Sequence, residues 1–193
     1  MRQALFLSLL LLPGVATAAP TKPAAAPKPA QPVRAPSMDE LFAQLKKAQS
    51  AEEAHPIEEK LAAMFRASGS ASVDLLMSRA QAATAANDKV TARKLVDAVT
   101  AIAPGYAEGW RTRAEMENAA GDDTAALVSL QRAVLLSPRH FQALNQLGGM
   151  LEEYGDKSGA LKLYRRALAL DPQMEGANRH VKSLTQTVEG RDI

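Results

Sequence analysis

The chain has no cysteine, and its 193 residues include only one tryptophan, three tyrosines and four phenylalanines. The first absence excludes a disulfide framework and a thiol-linked lipid anchor. Scarce aromatics beside 47% hydrophobic residues leave Ala and Leu as the apolar mass. That composition favours closely packed helices, because Ala costs no side-chain entropy in a helix, whereas sheets draw on β-branched and aromatic residues. An all-α fold is expected. A catalytic inventory is also missing. His55, His140 and His180 stand far apart, there is no thiol, no Gly-rich phosphate loop follows a strand, and no serine has a partnered histidine. No catalytic, cofactor or metal residue is assigned.

Long hydrophobic runs are lacking as well. The run Ala4 to Leu12 spans nine residues, about half of the roughly 20 needed to cross a bilayer as a helix. It follows Arg2 and precedes Pro13-Gly14 and Ala16-Thr17-Ala18. This order reads as a secretory signal peptide over residues 1–18, cleaved after Ala18, since a cut one residue later would put Pro20 beside the scissile bond. The mature chain then has no membrane span, and its cysteine-free composition suits the periplasm. The alternative is an uncleaved anchor.

Residues 19–37 alternate Pro, Ala and Lys, with prolines at 20, 23, 27, 29, 32 and 36 and no acidic residue. Proline removes backbone donors and fixes φ, so this stretch reads as an extended, disordered linker. Lys22, Lys28 and Arg34 make it basic, which admits either weak contact with anionic envelope polymers or a merely solvated spacer. The net charge of +2 conceals this asymmetry: 23 basic residues less Arg2, Lys22, Lys28 and Arg34 leave 19 against 21 acidic, or −2 beyond the linker. No concentrated basic face is available to neutralise phosphates, which argues against nucleic acid binding.

What the chain does have is a repeat. Trp110, Ala114, Gly121-Asp122, Ala126, Leu130, Ala133 and Pro138 recur 34 positions later as Leu144, Gly148, Gly155-Asp156, Ala160, Tyr164, Ala167 and Pro172. The same register holds 34 positions earlier at Leu76, Ala80, Asn87-Asp88, Ala92, Val96, Val99 and Pro104. A fixed period of this length means stacked supersecondary units. Each unit reads as two helices with apolar stripes. Gly121, Gly155 and Asn87 suit the left-handed residue that ends the first helix, Asp88, Asp122 and Asp156 cap the second, and the prolines terminate it. Before the repeats, one helix is expected from Met38 to Gln49, capped by Ser37 or Asp39, and another starting at Pro56, followed by a loop from Ser68 to Ser72. After them, Ala177, Val181, Leu184 and Val188 follow one face of a last helix, with Glu189 to Ile193 fraying.

The pattern resembles the tetratricopeptide repeat (TPR), with a large residue at position four, small residues at eight, twenty and twenty-seven, and proline at thirty-two. The resemblance covers Val73 to Pro172. It departs at Arg79 and Arg113 in the seventh position, where Leu is usual, and at Glu117 in the eleventh, where Tyr is usual. Together with the signal peptide it implies an exported bacterial TPR protein: a short right-handed α-solenoid with an N-terminal hairpin cap or degenerate first repeat at 38–72. Three repeats follow at 73–106, 107–140 and 141–174, and a C-terminal capping helix at 175–188.

The resemblance also implies a concave groove for a peptide or extended segment, lined by first-helix positions two, five, nine and twelve. These are Asp74, Met77, Gln81 and Thr84; Glu108, Arg111, Glu115 and Asn118; Gln142, Asn145, Gly149 and Glu152. Arg111 is either a carboxylate anchor or the partner of Glu108 and Glu115, which lie within helical reach. Gly149 either admits a partner backbone or reflects drift. The family's chaperone-tail clamp wants Lys or Arg and Asn at groove positions that here hold Ala43, Lys47, Ser78, Glu108 and Thr112, so that ligand is rejected. The leading expectation is a non-catalytic protein-protein scaffold in the periplasm. The alternatives are a structural homo-oligomer joined through the solenoid ends and an enzyme with an unrecognised site.

Overall fold

A computed structural model describes residues 34–190, and these form helices and connecting turns with no strand among them. In order the helices are α1 (Met38–Leu45), α2 (Ala51–Arg66), α3 (Ala71–Ala85), α4 (Lys89–Ile102), α5 (Ala107–Ala119), α6 (Asp123–Leu136), α7 (Phe141–Glu153), α8 (Lys157–Leu168) and α9 (Glu175–Glu189). The signal peptide read at residues 1–18 and the linker as far as residue 33 lie outside the described residues.

Each repeat becomes a helical pair, α3 with α4, α5 with α6 and α7 with α8, and α9 packs on α8. The turns follow local chemistry. Asn87, Gly121 and Gly155 adopt φ of 60°, 77° and 85°, the left-handed region where glycine has no Cβ penalty. The next residue caps the second helix: Asp88 accepts from Thr91 N at 3.0 Å, Asp122 from Ala125 N at 3.1 Å and Asp156 from Gly159 N at 2.8 Å. Within the pairs, side-chain volumes compensate. A Cβ on Gly148 would stand 3.0 Å from the Tyr164 ring, so the bulkiest residue at this register position faces the smallest. The units carrying Leu130 and Val96 instead place the fully buried Ala114 and Ala80 opposite.

The middle unit solves a harder problem. Glu117 is only 1% exposed, yet it is not an unpaired charge. Arg113 Nε donates to it at 2.8 Å, Arg93 at 3.1 Å and Ser129 Oγ at 2.6 Å. Arg113 also leans over the Trp110 ring, 5.5 Å from its centroid, and donates to Thr100. The departures at positions seven and eleven therefore answer one another, as a polar cluster joining α4, α5 and α6.

The segment before the repeats differs most from expectation. α2 begins at Ala51, capped by Ser50, and Pro56 lies inside it instead of at its start. The missing proline N–H removes one hydrogen bond near the N-terminus and does not stop the helix. Ser37 and Glu40 form a reciprocal capping box on α1. The hairpin's larger helix packs on α5, and no α2–α3 packing of comparable extent occurs among the described residues. The hairpin lies across the turns that lead into α5, α7 and α9. Tyr106 Oη donates to Arg66 O at 2.6 Å, Phe65 stacks on His140 with centroids 4.2 Å apart, and Gln173 Nε2 donates to Ala48 O at 2.8 Å. Phe42 meets Phe141 edge-on and lies under Arg139, whose guanidinium also pairs with Asp39 at 2.5 Å. The stacking positions support this reading. Leu75 stands 34 residues before Gly109 and 68 before Ala143; both of those are buried between units, while Leu75 is 52% exposed.

At the other end Ala177 and Leu184 are buried as expected, but Val188 is exposed and α9 continues through Glu189, which Arg165 holds at 2.6 Å. Glu117 is the desolvated member of the cluster, while Arg93 and Arg113 stay partly exposed beside Asp97. Glu117→Ala removes the acceptor of three hydrogen bonds, including that of the buried Ser129 hydroxyl, and should lower unfolding free energy by about 1–3 kcal/mol. Urea denaturation measures this; a loss no larger than that of an exposed control such as Glu59→Ala would refute the cluster's structural role.

Candidate partner groove

Three pockets open in succession between the first helices of the units. The first, about 600 Å³, lies between α3 and α5 and is lined by Gln81, Thr84, Lys89, Arg93, Arg111 and Glu115 around an alanine-rich floor. The second, about 170 Å³ between α5 and α7, sets Glu115, Asn118, Gln146, Gly149 and Glu153 around Ala114, Leu130 and Met150. The third, about 420 Å³ between α7 and α9, is lined by Asn145, Gln146, Gly149, Glu152, Glu153, Tyr164 and His180. Of the expected groove residues, the fold brings Gln81, Thr84, Arg111, Glu115, Asn118, Asn145, Gly149 and Glu152 to this row.

The remaining four are placed elsewhere, for identifiable reasons. Met77 is buried against Val73 and Val99, since an unbranched apolar side chain gains more in the core than at a wet face. Asp74 accepts from Ser68 N at 2.9 Å and Ser68 Oγ at 2.6 Å, tying the α2–α3 turn to α3. Glu108 is only 5% exposed. Gln142 lies beside the hairpin, in a crevice with His55, Glu58 and Asp171. The first turns of the first helices are thus occupied by the protein itself, and the open cleft runs along the rest of their length.

Glu108 anchors a continuous chain of contacts. Arg111 clasps both of its oxygens at 2.8 and 2.7 Å, and His140 Nε2 stands 2.8 Å from Oε2. Burial would raise the Glu108 carboxyl, but the hydrogen bonds and charges of Arg111 and His140 overcome it and hold the group at about 2. An ionised carboxylate only accepts, so His140 carries its proton on Nε2. The imidazole's other face is covered by Phe65. Arg111 continues to Glu115, which accepts from Gln146 Nε2 at 2.8 Å. Arg111 is therefore the partner of two glutamates and not a free anchor.

Gly149 differs from its neighbour. A Cβ there would meet only the Tyr164 hydroxyl, at 3.6 Å, an ordinary contact. Packing demands glycine at Gly148 and not at Gly149. Sequence reasoning missed Gln146, Glu153 and His180, because they fall outside the four positions the repeat pattern assigns to the groove. It also missed the row Tyr106, His140 and Met174, spaced by 34, which marks the turns on which the hairpin rests.

Among the described residues no group of three His, Asp or Glu converges as metal ligands, and no helix is long and apolar enough to cross a membrane.

The geometry has many counterparts among solved structures. The TPR domain of Sgt2 from Aspergillus fumigatus superposes with a TM-score of 0.55 at 22% identity, over 62% of this chain and 81% of that one. The first TPR of Spaghetti (RPAP3), bound to an HSP90 peptide, gives 0.56 at 17% identity over 61% and 93%. The Arabidopsis OM64 TPR domain gives 0.55 at 20% over 61% and 97%. The fold is that of the tetratricopeptide repeat. No protein-family model matches this sequence, and no curated protein matches it. The TPR likeness is thus carried by architecture, with the helical pairs and their left-handed turns in common register.

Two outcomes follow from these placements. Replacing a helical glycine by alanine removes an entropic cost, so Gly149→Ala should stabilise the chain by about 0.5–1 kcal/mol, whereas Gly148→Ala should destabilise it against Tyr164. Urea midpoints distinguish them, and equal effects would contradict the assigned packing. The second outcome concerns the crevice beneath the hairpin. Burial, then the Asp171 charge, pushes Glu58 up to about 7, with His55 opposing and Glu59 adding to the rise; Asp171 is itself raised by burial. Asp171 Oδ2 is buried and finds no donor among the described residues, which a proton on Glu58 can supply. Relative to an unfolded value of about 4.3, the folded state holds an extra proton across this interval, so stability falls as pH rises from about 4.3 to 7. Glu58→Gln should flatten that part of the melting temperature profile; an unchanged slope would contradict the pairing.

Proposed function

We propose that this chain is a non-catalytic interaction module of the bacterial periplasm, which receives an extended segment of an envelope protein in the cleft formed by α3, α5, α7 and α9. The observation that carries the proposal is the row of three open pockets along one face, the first two polar at the rim and apolar at the floor and the third lined by polar side chains, on helices whose opposite sides are fixed by packing. A cleft of this kind suits an extended peptide, whose side chains alternate between pockets and solvent. The peptide-bound RPAP3 domain supports the reading for a chain of the same fold. Export rests on Arg2, the run Ala4 to Leu12 and Ala16-Thr17-Ala18, with cleavage after Ala18.

A second reading, end-to-end self-association, is favoured by Leu75, Val90 and Ile102. These are 52%, 66% and 60% exposed on α3 and α4, the first of the three repeat pairs. The two readings separate experimentally. A photo-crosslinking residue at Gln81, Glu115 or Gly149 should capture an envelope protein in intact cells, while one at Arg132 should not. Capture only from Arg132 would refute the groove, and a monomer by light scattering at tens of micromolar would refute self-association. Mass spectrometry of the mature protein should give Ala19 as its first residue.

A further inference from the structure

The groove is chemically uneven along its length. The pocket between α3 and α5 is lined by Lys89, Arg93 and Arg111, with Glu115 the sole acid. Arg111 is neutralised by Glu108 and Glu115, and Arg93 by Asp97 and Glu117. Among the described residues the two pockets beyond it have no Lys or Arg in their walls; their ionisable residues are Glu115, Glu152, Glu153, Tyr164 and His180. Glu152 accepts from Tyr164 Oη at 3.1 Å and pairs with His180 Nδ1 at 2.8 Å. Glu153 is exposed and forms no ion pair among the described residues.

Two buried acceptors sharpen the asymmetry. Gln146 Nε2 donates to Glu115, and because a carboxylate only accepts, the orientation of that amide is fixed. Among the described residues its Oε1 is left buried without a donor, and the Asn145 side-chain oxygen likewise finds none. An unmet buried acceptor is destabilising, and a donor from outside would relieve it. Both residues belong to pocket walls, beside the glycine that packing does not require.

Resting on the groove reading above, we infer that the half of the groove between α5, α7 and α9 receives a lysine- or arginine-bearing extended segment of the partner, its backbone passing over Gly149. A long cationic side chain matches the second pocket. Its methylene stem lies on Ala114, Leu130 and Met150, and its donors reach Gln146 Oε1, Asn118 and Glu153. An acidic segment would meet glutamates with no free cation to offset them.

The test titrates the full chain with three capped peptides of about twelve residues, alternating Ala-Lys, Ala-Gln and Ala-Glu, followed by amide NMR shifts in low salt and at roughly 0.15 M ionic strength. Ala-Lys should bind with shifts at Gly149, Gln146 and Glu153, and weaken with salt. Glu153→Gln, at an exposed position, should weaken it roughly threefold. Gly149→Leu should weaken it further, with the circular dichroism melt confirming that the variant folds. Equal or tighter groove binding of Ala-Glu, or Ala-Lys shifts confined to the α3–α5 pocket, would overturn the cationic assignment and leave the groove reading standing. No groove shift with any of the three peptides would overturn both.

Discussion

Close approach of two helices at a fixed place in every unit is the constraint on which the rest depends. Ala80, Ala114 and Gly148 keep the first helix small where the second brings Val96, Leu130 or Tyr164. Interiors are close-packed, so each pair has one comfortable spacing. The capping aspartates and left-handed turn residues then hold both helices to one length. Once spacing and length repeat, the first helices fall into a row and a cleft between them is unavoidable. The groove is thus a by-product of how the core is filled, and the side chains along it are free to vary.

Charge burial is the second organising influence. In the middle unit Glu117 stands where an apolar or aromatic residue would fill the interior, and it is accommodated because Arg93, Arg113 and Ser129 converge on it from three helices. Glu108 is handled likewise by Arg111 and His140. These contacts join the hairpin to the cleft: Phe65 on His140, His140 on Glu108, Glu108 on Arg111, Arg111 on Glu115 and Glu115 on Gln146. The residues that position the cleft wall are thereby braced from beneath by the N-terminal segment.

The repeat architecture was legible because its signals are local. A glycine or asparagine before an aspartate declares a helix end and a cap whatever surrounds it, and three copies of that signal at one offset declare a solenoid. Of the groove residues, those in the ninth and twelfth positions were legible in the same way. At the fifth position Arg111 and Asn145 reach the row and only Met77 turns inward. The second position was not legible, since whether Glu108 faces solvent or protein depends on where α2 lies, some forty residues earlier in the chain. The start of α2 was misread for a related reason: Pro56 is a strong local signal, but the Ser50 cap and the contacts of Ala54 and Leu61 in the core outweigh one lost hydrogen bond.

By itself the sequence determined the helices, the length of the units, the turns and the all-α class, because each follows from interactions between residues a few positions apart. Only the tertiary structure decided that the N-terminal hairpin lies across the inter-repeat turns, that Arg111 is a brace and not a free cation, and that the groove is anionic toward α7 and α9. Those outcomes depend on which charges are desolvated together and which acceptors are left without donors. Both are properties of residues brought together from distant parts of the chain; the 34-residue row Tyr106, His140 and Met174 marks the turns but not what lies on them.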